Sequence, residues 1–225
     1  MHFHLPKPLH GWREFGGEVG IIVVGVLIAL GAEQVVEDIR WQQRVREAEA
    51  SMTKELAEDD GPQAAARLVI SACIAKRLNA AEAALIGERD RGTAFVAPTL
   101  TTPPFRTWDS DSWSAAVSSE ATSHMPTDRM YAWSVPFALT GAMNRGADRE
   151  FNDWAELTMI GSLPPHPSET ERERMLSAIG HARQDNIFLN WISGVFLRYM
   201  DKVGVRVSET AKRQELKTQR TSVGC

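Results

Sequence analysis

Hydrophobic and polar positions follow three different rhythms along this chain. From Val19 to Leu30 there is no polar side chain at all, only Val, Ile, Leu, Ala and Gly. Widened to Phe15–Ala32, the run holds a single charge, Glu18. A surface helix of a soluble domain needs a polar stripe, and this segment has none. It is also at the short end of the roughly 17–25 residues that cross a bilayer. Trp12 and Trp41 flank it at a separation of about 43 Å on a helix, close to the bilayer thickness with headgroups, so both are candidate membrane-interface anchors. A buried core helix and a signal peptide are the competing explanations. The helical pattern continues from Val35 to Leu56 without a break, which favours an uncleaved anchor.

After Glu33 the period becomes that of amphipathic helices. Trp41, Val45, Ala48, Met52 and Leu56 recur in steps of three and four among charged neighbours. Asp59-Asp60-Gly61-Pro62 is expected to end that helix, because the residue before a proline avoids the helical region. A second helix is expected over about 63–88, with Ile70, Ile74, Leu78, Ala81 and Leu85 on one face. Residues 89–106 lose the pattern and read as a loop, with a weak strand signal at 93–97. A short helix follows around 107–119. A long one then runs from an N-cap at Thr127-Asp128 to about Met159, with Pro136 as an internal kink. Ser168-Glu-Thr-Glu171 is a capping box that opens the last helix. That helix carries Met175, Ala178, Ala182, Asp185, Leu189, Ile192, Phe196, Tyr199 and Val203 in alternating steps of three and four, the pattern of a central packing helix. The fold class is therefore all-α: one N-terminal transmembrane helix continuing into a bundle-like soluble domain of about four to five helices. The boundaries are 1–14 for a juxtamembrane segment, 15–34 for the span, 35–204 for the domain and 205–225 for a flexible tail.

The segment His10-Gly-Trp-Arg-Glu-Phe-Gly-Gly-Glu-Val-Gly-Ile-Ile-Val-Val-Gly-Val-Leu-Ile-Ala-Leu30 resembles the opening of a bacterial family of uncharacterised single-pass membrane proteins. The resemblance rests on the Gly17-Glu18 pair, the internal Gly25, the Leu-Ile-Ala-Leu at 27–30 and a charged helical exit, and it covers residues 10–46. It departs at Gly31-Ala-Glu-Gln34, where many relatives have an exit richer in Asn and Trp. The resemblance implies membrane anchorage, in a bacterial cytoplasmic membrane, and no activity.

Composition changes this picture little. The net charge of −4 and the lack of a basic stripe interleaved with aromatics argue against nucleic acid as a partner. Arg206, Lys212, Arg213, Lys217 and Arg220 make the tail basic, as solvated termini often are. Of the two cysteines, Cys225 is terminal and Cys73 sits in a helical pattern, where it reads as a small buried apolar residue. Lys7 and Arg13 before the span nearly balance Arg40, Arg44 and Arg46 after it, so the positive-inside rule barely decides. The expected orientation is N-terminus inside and domain outside.

Motifs with chemistry are missing. His2, His4 and His10 lack fixed geometry for a metal, and His124, His166 and His181 stand alone. Asp109-Ser-Asp111 lacks the other ligands of a calcium loop. Asp148, Glu150, Asp153 and Glu156 read as a solvated acidic helix face. No catalytic residue, cofactor or metal is expected. Two features remain. Trp108, Trp113, Tyr131 and Trp133 are candidates for an aromatic ligand pocket, with core packing as the alternative. Glu18, Ile22, Gly25, Ala29 and Ala32 share one stripe of the span, since Gly25 and Ala29 lie about 20° to either side of Glu18 around the axis. Small residues let two backbones approach, so the stripe is a candidate self-association seam for a homo-oligomer. The leading functional expectation is a membrane-anchored, non-enzymatic helical protein acting in protein–protein interaction or as an envelope-associated scaffold. A ligand-sensing helical domain is second and an enzyme third. Expected partners are the lipid bilayer and further copies of the chain, with any other protein partner unknown.

Overall fold

The apolar run and the charged stretch after it form one helix, α1 (Gly11–Glu55). The structure, a computed structural model, describes residues 11–223, with side chains from 15 to 222. It is all-α, without strands among the described residues. The chain divides after Glu47 into two compact units. In the first, every side chain from Phe15 to Arg40 is exposed. Among the described residues this is the one helix long and apolar enough to cross a membrane, and none of its apolar window is buried.

In the second unit the last turns of α1 enter a core through Met52, which is fully buried. The expected stop at Asp59-Asp60-Gly61-Pro62 does not occur. The chain instead makes a π turn (Leu56–Asp60) and continues as α2 (Gly61–Arg91), with Pro62 in its first turn. The physical reason is Pro62, which has no N–H to donate and whose ring crowds the preceding turn. A π turn bonds each residue to the one five before it, as Gly61 N–H does to the Leu56 carbonyl. In that register Pro62 would have served the Ala57 carbonyl. That oxygen accepts from Ser208 N–H at 2.8 Å instead, so no backbone acceptor is orphaned by the turn.

Helix α2 buries Ile70, Ile74, Leu78, Ala81 and Leu85, the expected face, and ends at Gly92 in the left-handed region. Residues 92–110 have no regular structure, including the stretch with the weak strand signal. They are pinned by Phe95 N–H to the Pro165 carbonyl at 2.6 Å. Trp108 is held through both backbone groups by Asn144, at 2.8 Å each. Next come α3 (Asp111–Ser118), a 3-10 turn (Ala121–His124) and α4 (Thr127–Leu157), which contains Pro136. Helix α4 starts where expected, but Pro126 holds its N-cap position without a side-chain cap. A second 3-10 turn (Thr158–Ser162) leads to α5 (Glu169–Lys202), whose Ser168/Glu171 capping box is fully formed.

Helix α5 is central, packing on both α2 and α4. Its buried positions include Met175, Ala178, Ala182, Asp185, Leu189, Ile192 and Phe196. Two expectations are corrected here. The segment expected to be a flexible tail forms α6 (Glu209–Val223), which packs on α2 and buries Gln219. Its apolar residues are too few to announce a core-facing helix. Cys73 is half-buried and disulfide-bonded, not a buried free thiol. Cys225, the other cysteine of the sequence, lies outside the described residues.

Candidate functional site

Three buried carboxylates in the domain are matched by arginines, and one pair of carboxylates is not. Arg67 on α2 makes two hydrogen bonds to Glu150 on α4, at 2.6 and 2.5 Å, and a third to Asn186 on α5 at 2.9 Å. Asn186 in turn donates to the Ser71 carbonyl. All four residues are buried, so the network ties three helices together where water cannot compete. At the far end of α2, Glu88 meets Arg172 of α5 at 2.6 Å and His166 at 3.3 Å. The Arg172 hydrogen bond holds the Glu88 carboxyl below its ordinary value, and Glu88 in return raises Arg172.

The third site is an open groove of about 440 Å³ between α4 and α5, lined by Arg149, Asp153, His181, Gln184, Asp185 and Phe188. Arg149 pairs with Asp185 at 3.1 Å and lies over the Phe188 ring, 5.3 Å from its centre. Burial pushes the Asp153 carboxyl up to about 6, aided by its hydrogen bond to Asp185 and that group's charge, and opposed by His181. Converging polar groups around a perturbed acid are what a binding groove presents. Sequence reading placed Asp153 on a solvated acidic face, because its partner lies on another helix.

The unmatched pair is Glu55 and Asp60, five residues apart across the π turn. Asp60 is fully buried, yet no salt bridge to either carboxylate occurs among the described residues. Asp60 Oδ1 accepts from Asp109 N–H at 3.2 Å, and Glu55 Oε2 from Ser112 N–H at 2.9 Å. Glu55 thus caps a free N–H in the first turn of α3, and Asp60 holds the backbone just before it. Burial raises the Asp60 carboxyl to about 8, the Asp109 N–H opposes this, and the charges of Glu55, Asp109 and Asp59 add to it.

The residues singled out in the sequence are scattered. Trp108 is buried beside Gln63, Arg67 and Glu150 at a cavity of about 20 Å³. Trp113 is half-buried and stacks on Phe137 with ring centres 5.9 Å apart. Trp133 is buried near Lys202 and Val203, and Tyr131 is 68% exposed. The small cavity at Trp108 includes none of the other three aromatics. Glu18, Ile22, Gly25, Ala29 and Ala32 are all exposed on α1. Trp41 is half-buried under the Arg44 guanidinium, 4.7 Å from the ring centre. The side chain of Trp12, and all of His2, His4 and His10, lie outside the described residues. Among the described residues no three His, Cys, Asp or Glu side chains are grouped as metal ligands. No family model, curated protein or solved structure matches the chain.

Proposed function

We infer that the chain is a single-pass protein of a bacterial cytoplasmic membrane, whose helical domain works outside the cytoplasm by associating with other proteins, copies of itself included. The observation that carries this is the exposure of the whole apolar window of α1. Its Val, Ile and Leu side chains are exposed among the described residues. Leaving that much apolar surface in water is unfavourable by about 25 cal/mol per Å², so lipid or another helix must cover it.

Within the domain, Ile187 and Trp191 lie one helical turn apart on α5 and are 62% and 61% exposed, with Leu68 of α2 partly exposed nearby at Gly194. An exposed tryptophan in an apolar patch is typical of a surface that another protein covers. A ligand-sensing reading is kept by one feature, the α4–α5 groove around Asp153.

Anchorage and orientation are tested by alkaline carbonate extraction and by reporter fusions after Cys225. Retention in the membrane and an active alkaline phosphatase fusion are expected. Release at high pH, or activity only of a cytoplasmic reporter, overturns them. Association is tested by a photo-crosslinking amino acid at position 191 in intact cells. Discrete adducts are expected there and not at Glu173, on an exposed turn of the same helix. Monomer alone at both positions rejects the association reading.

A further inference from the structure

Helix α2 carries Gln63 and Arg67 one turn apart on the same face. Arg67 uses its two terminal nitrogens on Glu150 and Asn186. Its remaining nitrogen, Nε, is buried without a hydrogen-bond partner among the described residues. Gln63 Oε1 and Trp108 Nε1 are in the same condition. Trp108 comes from the irregular 92–110 segment, where Asn144 fixes its backbone through both the N–H and the carbonyl. A polar atom buried in this way forfeits the hydrogen bonds that water gave it, and the loss is greatest for a charged group such as the guanidinium.

These three side chains line one and the same cavity, which lies where α2, α4, α5, α6 and the 92–110 segment meet. Its volume of about 20 Å³ is the room that a single water molecule needs. The other polar side chains on its wall are already engaged. Glu150 accepts from Arg67, while Arg106 and Gln219 both donate to Glu215. The rest of the wall is Ile70, Pro104, Ala147 and Leu189, all apolar. The unmet demand around the cavity is therefore two N–H donors and one carbonyl acceptor.

We propose that this cavity binds one water molecule, which accepts from Arg67 Nε–H and Trp108 Nε1–H and donates to Gln63 Oε1. The composition of the wall selects the ligand. A metal ion or an ammonium group would face two N–H donors and the charge of Arg67. A chloride would suit the donors, but it would be pressed against Gln63 Oε1 and against Glu150, whose charge Arg67 already balances. An apolar guest would leave all three atoms unmet. Water both donates and accepts, and three hydrogen bonds are the usual complement of a buried one. Held there, it extends the Arg67–Glu150–Asn186 network to Trp108 and fastens the 92–110 segment to α2. The site is independent of membrane anchorage and of what the domain binds.

The test is nuclear magnetic resonance on the full chain in detergent micelles, with the Trp108 indole signal assigned by its loss in Trp108→Phe. A water held longer than the tumbling time gives an N–H cross-peaks at the water frequency of opposite sign in laboratory-frame and rotating-frame spectra. Exchange with bulk water gives the same sign in both. Opposite signs are expected at the Trp108 indole and at Arg67 Nε–H. In Trp108→Phe the Arg67 cross-peak is expected to persist, because two of the three partners remain. Gln63→Met puts apolar atoms of similar length where the amide was, and is expected to lose both cross-peaks and to melt several degrees below wild type. A wild-type Trp108 indole with no cross-peak at the water frequency, or with the same sign in both spectra, overturns the proposal whether or not a variant folds. Cross-peaks unchanged in Gln63→Met overturn the assignment of Gln63 as the acceptor. A Trp108 indole shift that titrates with chloride at constant ionic strength overturns the proposal in favour of an anion.

Discussion

Arg67 and Glu150 face each other as fork to fork, 83 residues apart in sequence, with both side chains more than nine-tenths buried. This pair locks α2 to α4, and the third hydrogen bond to Asn186 brings in α5. The geometry is bidentate, the strongest form such a contact takes. Its contribution is still not simply additive, since both charges were taken out of water to make it.

Removing one partner should therefore cost more than removing both. Glu150→Ala leaves a buried guanidinium uncompensated and is expected to destabilise the domain by about 3–5 kcal/mol. The double variant Arg67→Met, Glu150→Leu refills the space with apolar atoms and is expected to recover most of that loss. Chemical denaturation of the two variants, read as midpoint at constant slope, checks it. A double variant at least as unstable as the single one would show that the charges themselves hold the helices in place.

Two glycines should respond to alanine with opposite signs. At Gly61 a Cβ would sit 2.5 Å from the Leu56 carbonyl oxygen and 2.6 Å from Met200 Cε. The backbone oxygen cannot move without opening the π turn. Gly61→Ala is expected to cost about 1–3 kcal/mol, as overpacking does. Gly180, exposed on α5, has nothing within 4 Å of such a Cβ. There Gly180→Ala should stabilise by about 0.5–1 kcal/mol through helix propensity. Thermal melts of both variants suffice, and a stabilised Gly61→Ala would mean that the π turn is not needed to pass Pro62.

The acid in the α4–α5 groove gives the domain a pH dependence of its own. The Asp153 carboxyl is raised from its ordinary value near 3.8 to about 6. A raised value means that its contribution to stability is complete below the unfolded value and lost as pH rises through about 6. Asp153→Asn should therefore equal wild type near pH 4 and gain on it up to pH 7, on the order of 1 kcal/mol after screening by solvent. Glu88 has the opposite sign. Its carboxyl is lowered, so its contribution is present above the ordinary glutamate value and disappears as pH falls through the folded one. Glu88→Gln should weaken the domain at pH 7 and cease to matter in acid. Melting temperature against pH for the two variants separates them, and parallel curves would show that neither group senses its neighbours.

What was legible in the sequence was local. The stripe Ile70, Ile74, Leu78, Ala81 and Leu85 repeats with the helical period, and the Ser168/Glu171 box spells out its own hydrogen bonds, so both could be read within a few residues. Pro62 misled for the same reason. Its local preference is to end a helix, and what overrides that is Ser208, which reaches Ala57 from 151 residues downstream. The charged sites were illegible because each is assembled from different helices. Asp153 needs Asp185, Arg67 needs Glu150 and Asn186, and Asp60 and Glu55 take their hydrogen bonds from Asp109 and Ser112. Helix α6 was missed because its face toward α2 is largely polar, with Gln219 buried on it.

The exposed stripe on α1 makes the last prediction, which tests self-association. Within one chain Glu18, Ile22, Gly25, Ala29 and Ala32 touch no core, and a Cβ placed on Gly25 would meet nothing within 4 Å. Among the described residues nothing therefore requires a glycine there, and an isoleucine would meet no described neighbour. The glycine's absent side chain matters only if a second helix comes close, which is the circumstance in which small residues favour contact between spans. Gly25→Ile is then expected to weaken association about tenfold, the effect of losing roughly 1–2 kcal/mol of helix contact. Val24→Ile adds one methylene about 100° away around the axis and should leave association unchanged. Glu18→Gln separates the two roles open to the carboxylate: it weakens association if the group hydrogen-bonds across the seam, and leaves it intact if the group only sits at the headgroups near the positive end of the helix. A bacterial two-hybrid assay with membrane-inserted fusions measures all three. Equal signals from wild type and Gly25→Ile would assign the stripe to lipid and remove it from any interface.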